Sequence, residues 1–301
     1  MSALVKGHSI HGNGSPPGGE RPVTVPDFLA ARARGQRLTV LTAYDYTMAR
    51  LLDAAGVDSI LVGDSLGMVV QGQPDSLGVT LDEMIYHTRM VMRGVRRALV
   101  VTDLPFMSYQ ISPQQALESA GRIIKEGGAH AVKLEGGIRS AAAVQAITTA
   151  DIAVMGHVGL TPQSVRRLGG FKVQRDAERL VEDALAIEAA GAFALVVECV
   201  PAELAARVTA AVKVPTIGIG AGAGCDGQVL VWHDLLGLYA GRAPRFVKRY
   251  AELADEIRSA LGAFVGEVRE RSFPEERHTY SIPADELERF ESALAARAQN
   301  R

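Results

Sequence analysis

Seven side chains able to do chemistry share one placement in the sequence: Asp64, Ser65, Asp103, Lys133, Glu135, His157 and Glu198 stand in or just beyond short apolar runs. The runs are "SILVGDS" (59–65), "ALVVTDL" (98–104), "HAVKLEG" (130–136), "IAVMGHV" (152–158) and "ALVVECV" (194–200). A carboxylate set against a hydrophobic core costs on the order of several kcal/mol unless it is paired or binds a metal. One such acid reads as a helix cap or a loop ion pair; five consecutive runs that each deliver an ionisable group read as one shared site. Asp64, Asp103 and Glu135 are hard oxygen donors, which suit Mg²⁺, a cation that takes few carboxylates and keeps waters or substrate oxygens. The sequence has neither CxxC nor HxxxH, the spacings that would favour zinc. Lys133 and Glu135 differ by two and so share a strand face, where Lys133, with His157, is available to hold a carboxylate or polarise a carbonyl. Glu198, apart from the metal group in sequence, is free to move protons. Together these groups equip a pocket to form an enolate beside a ketone.

The positions of these residues depend on the elements that carry them. Three further runs, "LTVLTAY" (38–44), "PTIGIGA" (215–221) and "VLVWHDL" (229–235), bring the candidate strands to eight. Between them lie stretches with apolar residues at helical spacing, such as "TLDEMIYHTRMVMRGV" and "DAERLVEDALAIEAAGA". Ser112-Pro113 reads as a helix start, and Gly56, Gly127 and Gly191 as helix ends. Strict alternation implies a parallel sheet with right-handed crossovers, and eight units in about 210 residues imply a closed (β/α)8 TIM barrel. Its strand tips share one rim, where barrel active sites are built. "TVPDFLAARARG" predicts an N-terminal helix plugging the barrel floor. Residues 1–22 read as a flexible tail, 23–301 as a single barrel domain, and 246–301 within it as a helical extension with a loop at 272–283.

Composition excludes other classes. Of 301 residues, 48% are hydrophobic and 22% charged, which allows a large core and argues against wholesale disorder. A net charge of −2 gives no electrostatic footprint for nucleic acid. No run is long and apolar enough for a bilayer, and the N-terminal stretch has no apolar secretion core. The two cysteines, Cys199 and Cys225, suit a reducing compartment and form no disulfide framework, so a cytoplasmic enzyme is expected. Cys199 is expected to face away from the pocket into the core, since it follows Glu198. "GIGAGAGCDGQ" (218–228) loosely matches a dinucleotide loop, but a strand rather than a helix follows it, which leaves a tight turn or a phosphate-binding turn. His87 and Arg89 fit a solvated face or a subunit contact.

Several segments resemble the ketopantoate hydroxymethyltransferase family: "LTAYDYTMARLLDAAGVDSILVGDSLGMVVQG", "VTDLPFMSY", "KLEGG", "MGHVGLTPQS", "VVECVP" and "IGIGAGAGCDGQVLVWHD". The resemblance runs in order from about residue 22 to "FPEERHTY" near 280. It implies transfer of a hydroxymethyl unit from 5,10-methylenetetrahydrofolate to 3-methyl-2-oxobutanoate, giving ketopantoate through a Mg²⁺-stabilised enolate in pantothenate biosynthesis. It also implies a homo-oligomer, a decamer. Carried over by motif, Asp64 and Ser65 hold metal and substrate, Asp103 is a metal ligand touching the keto acid, Lys133 and Glu135 bind keto acid and metal, Glu198 accepts the proton, and His157 lines the pocket. One departure stands out: "FKVQRDAERL" (171–180) is shorter than the family's corresponding loop, which bears on loop closure and folate affinity. Two other readings compete. A carbon–carbon lyase or mutase on a 2-oxo acid would carry a loop cysteine in a KKCG-like motif, absent here. A binding barrel without turnover would have no reason to keep Lys133, Glu135 and Glu198 together.

Overall fold

A computed structural model describes residues 21–239 and 243–299; the expected tail therefore lies, but for its last two residues, outside the described residues. Eight parallel strands close into a barrel in sequence order. They are β1 (Leu38–Thr42), β2 (Ser59–Val62), β3 (Leu99–Asp103), β4 (Ala131–Glu135), β5 (Val154–Gly159), β6 (Ala194–Glu198), β7 (Thr216–Ile219) and β8 (Gly227–Leu230). The sequence-based expectation of a (β/α)8 barrel is met. One strand is displaced: β8 begins two residues earlier than the apolar run "VLVWHDL" and ends at Leu230, because Trp232–Leu235 turns helical. Gly227 and Gln228 join the strand through the edges of β1 and β7, so pairing overrides their low strand preference.

The helices begin where the sequence supplies caps. Asp45 accepts from the Met48 N–H, Ser112 from the Gln115 N–H, and Thr80 with Glu83 forms a capping box for Leu81–Gly94. The helix from Pro113 loosens into a π-turn over Ile123–Gly127, and the left-handed residue that ends it is Gly128 (φ 82°), one past the expected Gly127.

Period-two alternation sorts the strand residues into two sets. Leu38, Val40, Leu61, Leu99, Val101, Ala131, Met155, Ala194, Val196, Ile217 and Val229 cluster inside the barrel, together with Phe28 and Ala31 of the N-terminal helix Val25–Ala33. Phe28 is fully buried and meets Phe193 edge-on, ring centroids 5.7 Å apart, so this helix is the expected floor plug. The alternate strand residues pack outward under the helices, which is why β2, β3 and β4 are buried on both faces throughout.

The described residues group into two compact units, divided between Ala251 and Glu252. The first contains the barrel. The second carries helices Leu253–Glu270 and Ala284–Gln299, with Phe264 packed on Phe273 between them. Among the described residues no helix is long and apolar enough to cross a membrane.

Candidate active site

The inward ladder explains why greasy strands end in charge. Along β3 it reads Leu99, Val101, Asp103; along β4, Ala131, Lys133, Glu135; along β5, Met155, His157, Gly159; along β6, Ala194, Val196, Glu198. One or two apolar positions on each strand are thus crowned by polar side chains at the C-terminal rim. Register then sets neighbours side by side: Asp103 opposite Lys133, Glu135 opposite His157, and Gly159 opposite Glu198. After Leu61 of β2 the next inward position is Gly63, one residue past the strand, where a Cβ would lie 2.7 Å from Ser65 Oγ and 3.6 Å from Asp103 Oδ2. The missing side chain leaves room for the loop to fold back, and it is the loop, not the pleat, that brings Asp64 and Ser65 into the pocket.

The polar layer is dry and tightly coupled. Asp64, Asp103, Lys133, Glu135 and His157 are all buried, and Glu198 sits at the more open edge. Lys133 Nζ lies 2.9 Å from Asp103 Oδ1 and 3.3 Å from His157 Nδ1. Asp103 Oδ2 accepts from the Asp64 N–H at 3.1 Å, whereas Oδ1, at ion-pair distance from the ammonium but off hydrogen-bond alignment, has no aligned donor. His157 Nε2 stands 3.2 Å from Glu198 Oε2, also out of line. Ser65 Oγ meets the Tyr44 hydroxyl at 2.8 Å.

Burial pushes the Asp103 carboxyl up to about 6, with Lys133 opposing and Asp64 reinforcing the rise. The same desolvation, then the Asp64 charge, lifts Glu135 well above the ordinary carboxylate range. For Lys133 burial acts downward, but Asp103, Glu135 and Asp64 outweigh it and hold the ammonium charged. Burial, then the Lys133 charge, lowers His157, against a pull upward from Glu198. A neutral His157 that accepts from Lys133 on Nδ1 carries its proton on Nε2, facing Glu198.

Sequence reasoning missed two residues of this constellation. The Gln163 side chain donates to Asp64 Oδ2 (2.9 Å) and the Leu104 carbonyl (3.0 Å), and accepts from the Tyr109 hydroxyl (2.7 Å) and Gln110 (3.0 Å). Its backbone N–H donates to Glu135 Oε2 at 3.0 Å, so one residue ties two acids together. The Tyr109 hydroxyl, whose single proton goes to Gln163 Oε1, also lies 3.1 Å from the Glu135 carbonyl and accepts from the Glu135 N–H at 3.2 Å. Gln163 follows Pro162 in a helical turn after β5, and its only sequence signal is that it lies on a catalytic-rim loop.

Three buried carboxyl groups surround one ammonium, and full ionisation of all three would leave two negative charges uncompensated, which is part of why Asp103 and Glu135 are shifted upward. A hard divalent cation fits this donor set. Among the described residues, however, no three His, Cys, Asp or Glu side chains close into a ready-made metal cage. The expected trio Asp64, Asp103 and Glu135 is therefore brought into one buried layer but not into a protein-only cage; Mg²⁺, which fills its octahedron with water and substrate oxygens, suits such a half-built shell.

One expectation changed. Cys199 is half-buried rather than core, because β6 ends at Glu198 and Cys199 turns to φ +47°, where strand alternation no longer applies. The Gly-rich segment fits the tight-turn alternative, since a Cβ on Gly222 or Gly224 would press on Ala202 or Ala206 of the helix Ala202–Ala211. Arg89 lies on a solvated face, as expected, with its Nε donating to the Glu126 carbonyl, while the half-buried His87 ring meets the Tyr44 carbonyl.

Comparison with known proteins gives one consistent answer. The family model for ketopantoate hydroxymethyltransferase matches residues 22–276. A 3-methyl-2-oxobutanoate hydroxymethyltransferase of Pelobacter propionicus is 56% identical over 264 residues, 87% of this chain and 98% of that protein. The enzyme of that name from Nitratidesulfovibrio vulgaris strain DP4 is 56% identical over 283 residues, 93% of this chain and 92% of that protein. Among solved structures, 2,3-dimethylmalate lyase, of the PEP mutase/isocitrate lyase superfamily, aligns with a TM-score of 0.56 at 17% identity, covering 94% of this chain and 100% of that one. That likeness is one of fold.

Proposed function

Since the chain belongs to the ketopantoate hydroxymethyltransferase family, we propose that its rim pocket converts 3-methyl-2-oxobutanoate to ketopantoate, with 5,10-methylenetetrahydrofolate as the one-carbon donor. The observation that carries the reading is the Glu198–His157–Lys133–Asp103 chain, linked at 3.2, 3.3 and 2.9 Å across the top of the barrel.

Lys133, the one cation in the layer, pairs with the carboxylate of the keto acid. Asp64, Asp103 and Glu135 would hold Mg²⁺, with Ser65 beside them on the substrate. Bound there, Mg²⁺ supplies a Lewis acid for the negative charge that builds on the keto oxygen as the C3 proton leaves. Glu198 takes that proton. It is the carboxylate at the open edge, whereas Asp64, Asp103 and Glu135 are buried and already engaged. His157 presents its Nε2 proton to Glu198 and orients it over the tertiary carbon. Water adds to the donor's methylene unit and releases tetrahydrofolate, leaving a one-carbon unit at the oxidation level of formaldehyde. The enolate carbon attacks that carbon, and the alkoxide so formed takes back the proton held by Glu198 to become the hydroxymethyl group.

Glu198→Gln keeps size and removes basicity. With Mg²⁺ present and no folate, C3 hydrogen–deuterium exchange of the keto acid should fall by about 10²–10⁴-fold, the usual yield of a general base, while calorimetric Mg²⁺ affinity stays the same. Exchange at the parent rate would remove Glu198 from the role and leave His157 as the next candidate. Cleavage of the keto acid instead of exchange would point to a lyase.

A further inference from the structure

A five-carbon keto acid would occupy only a small part of the open space at this rim. Beside the polar layer, and sharing Gln163 with it, lies a cavity of about 780 Å³. Its walls include Arg139, Arg166 and Arg167, a single acid, Asp75, and the exposed ring of Phe106. That volume suits a drug-sized organic ligand rather than a small acid.

Its charge is unbalanced in one direction. Asp75 pairs with Arg166 at 3.6 Å. Arg139 and Arg167 carry no ion pair among the described residues. Arg139 is held instead by neutral hydroxyls, Ser164 Oγ at 3.0 Å and Thr161 Oγ1 at 3.4 Å, which fix the guanidinium without neutralising it. The backbone makes room for it: Gly136 sits at φ +124°, and a Cβ there would lie 2.9 Å from Arg139 Nε. A neighbouring cavity of about 560 Å³ shares Arg139 and Arg167 as a common wall and adds Arg179 with Asp176, Glu182 and Asp183 on its own side. On the side of the larger cavity three arginines face one acid, beside an apolar ring and the Gln163 shared with the polar layer.

We propose that this cavity is the seat of the donor's acidic tail, with Arg139 and Arg167 binding the glutamate carboxylates and Phe106 flanking the aryl portion. Guanidinium groups are suited to carboxylates because their planar fork matches both oxygens. The inference rests on the reading of a folate donor given above and adds where, and by which charges, it is held. Gln163 then stands at the junction, one side toward Asp64 and Glu135 and the other toward the donor.

The test compares two donors, 5,10-methylenetetrahydrofolate and the corresponding methylene derivative of tetrahydropteroate, which lacks the glutamate. The parent enzyme should show a KM about five- to tenfold lower for the glutamate-bearing donor, the scale of one or two partly exposed charge-assisted contacts. Arg139→Gln and Arg167→Gln should each shrink that ratio, and the pair should bring it near unity. Circular dichroism melts confirm that the variants fold. Equal KM values in the parent, or an undiminished ratio in the double variant, would overturn the assignment. If the parent exchanges the C3 proton yet accepts a one-carbon unit from neither donor, the folate reading itself fails and the assignment with it.

Discussion

The side chain of Gln163 offers the sharpest test of how the polar layer is held. Gln163→Leu keeps much of the volume and removes four hydrogen bonds at once. The Tyr109 hydroxyl retains its contacts to the Glu135 backbone at 3.1 and 3.2 Å, so it is not stranded. Asp64 Oδ2, in contrast, loses the one hydrogen-bond donor it has among the described residues, and the Leu104 carbonyl loses its donated amide hydrogen. A buried acceptor left unmade costs about 1–3 kcal/mol, more when charged, so two of them give a loss of about 3 kcal/mol. In a domain of this size that corresponds to a fall in Tm of about 6–12 °C. Gln163→Glu sharpens the comparison, because it is nearly isosteric yet points an oxygen at Asp64 Oδ2 where an N–H stood 2.9 Å away. It should be at least as destabilised as the Leu variant, and calorimetry should show weaker Mg²⁺ binding in both. A Glu variant with the parent's melting temperature and Mg²⁺ affinity would refute the view that this amide positions Asp64.

Two further outcomes follow from features away from the polar layer. Phe28→Ala removes the fully buried ring of the floor plug and should lower the unfolding free energy by about 3–5 kcal/mol, read from urea midpoints; a change below about 1 kcal/mol would mean the plug is not part of the cooperative core. His233, stacked on Trp232 with ring centroids 3.9 Å apart, is lowered by burial to about 4, with Asp45 opposing. The unfolded chain takes up its proton near 6.5 while the folded one does not, so stability should fall as pH drops from about 6.5 to about 4. Urea midpoints across that window should slope less in His233→Asn than in the parent; parallel slopes would show that His233 titrates normally in the fold.

Much of this site was legible because one physical rule, strand alternation, acts on both the core and the chemistry. Leu99 and Val101 foretell the direction of Asp103, as Ala131 foretells Lys133 and Glu135, and Val196 foretells Glu198. Where the strand stops, the rule stops. Cys199 turned to a left-handed conformation, and its expected burial in the core failed. Gln163 belongs to a short helical turn whose course is set by contacts from Glu135, Tyr109 and Leu104, residues 28 to 59 positions away in the chain. No local pattern encodes such a meeting. The displaced start of β8 has the same origin, since Gly227 and Gln228 are strand residues only through their partners on β1 and β7.

The polar layer also accounts for the way the barrel distributes its stability. Lys133 stands between Asp103 on β3 and His157 on β5, so removing it would leave carboxylates facing one another in a space that admits almost no water. For Asp103 and Glu135, burial and the Asp64 charge raise the carboxyl groups more than the attraction of Lys133 lowers them, so their ionised forms are costly. That cost is offset below them, where the inward apolar layers of every strand meet Phe28 and Ala31. The apolar floor and the charged rim are therefore a single device: the dry interior that makes Asp103 and Glu135 costly to ionise is also what makes a cation, or a substrate carboxylate against Lys133, worth more there than in water.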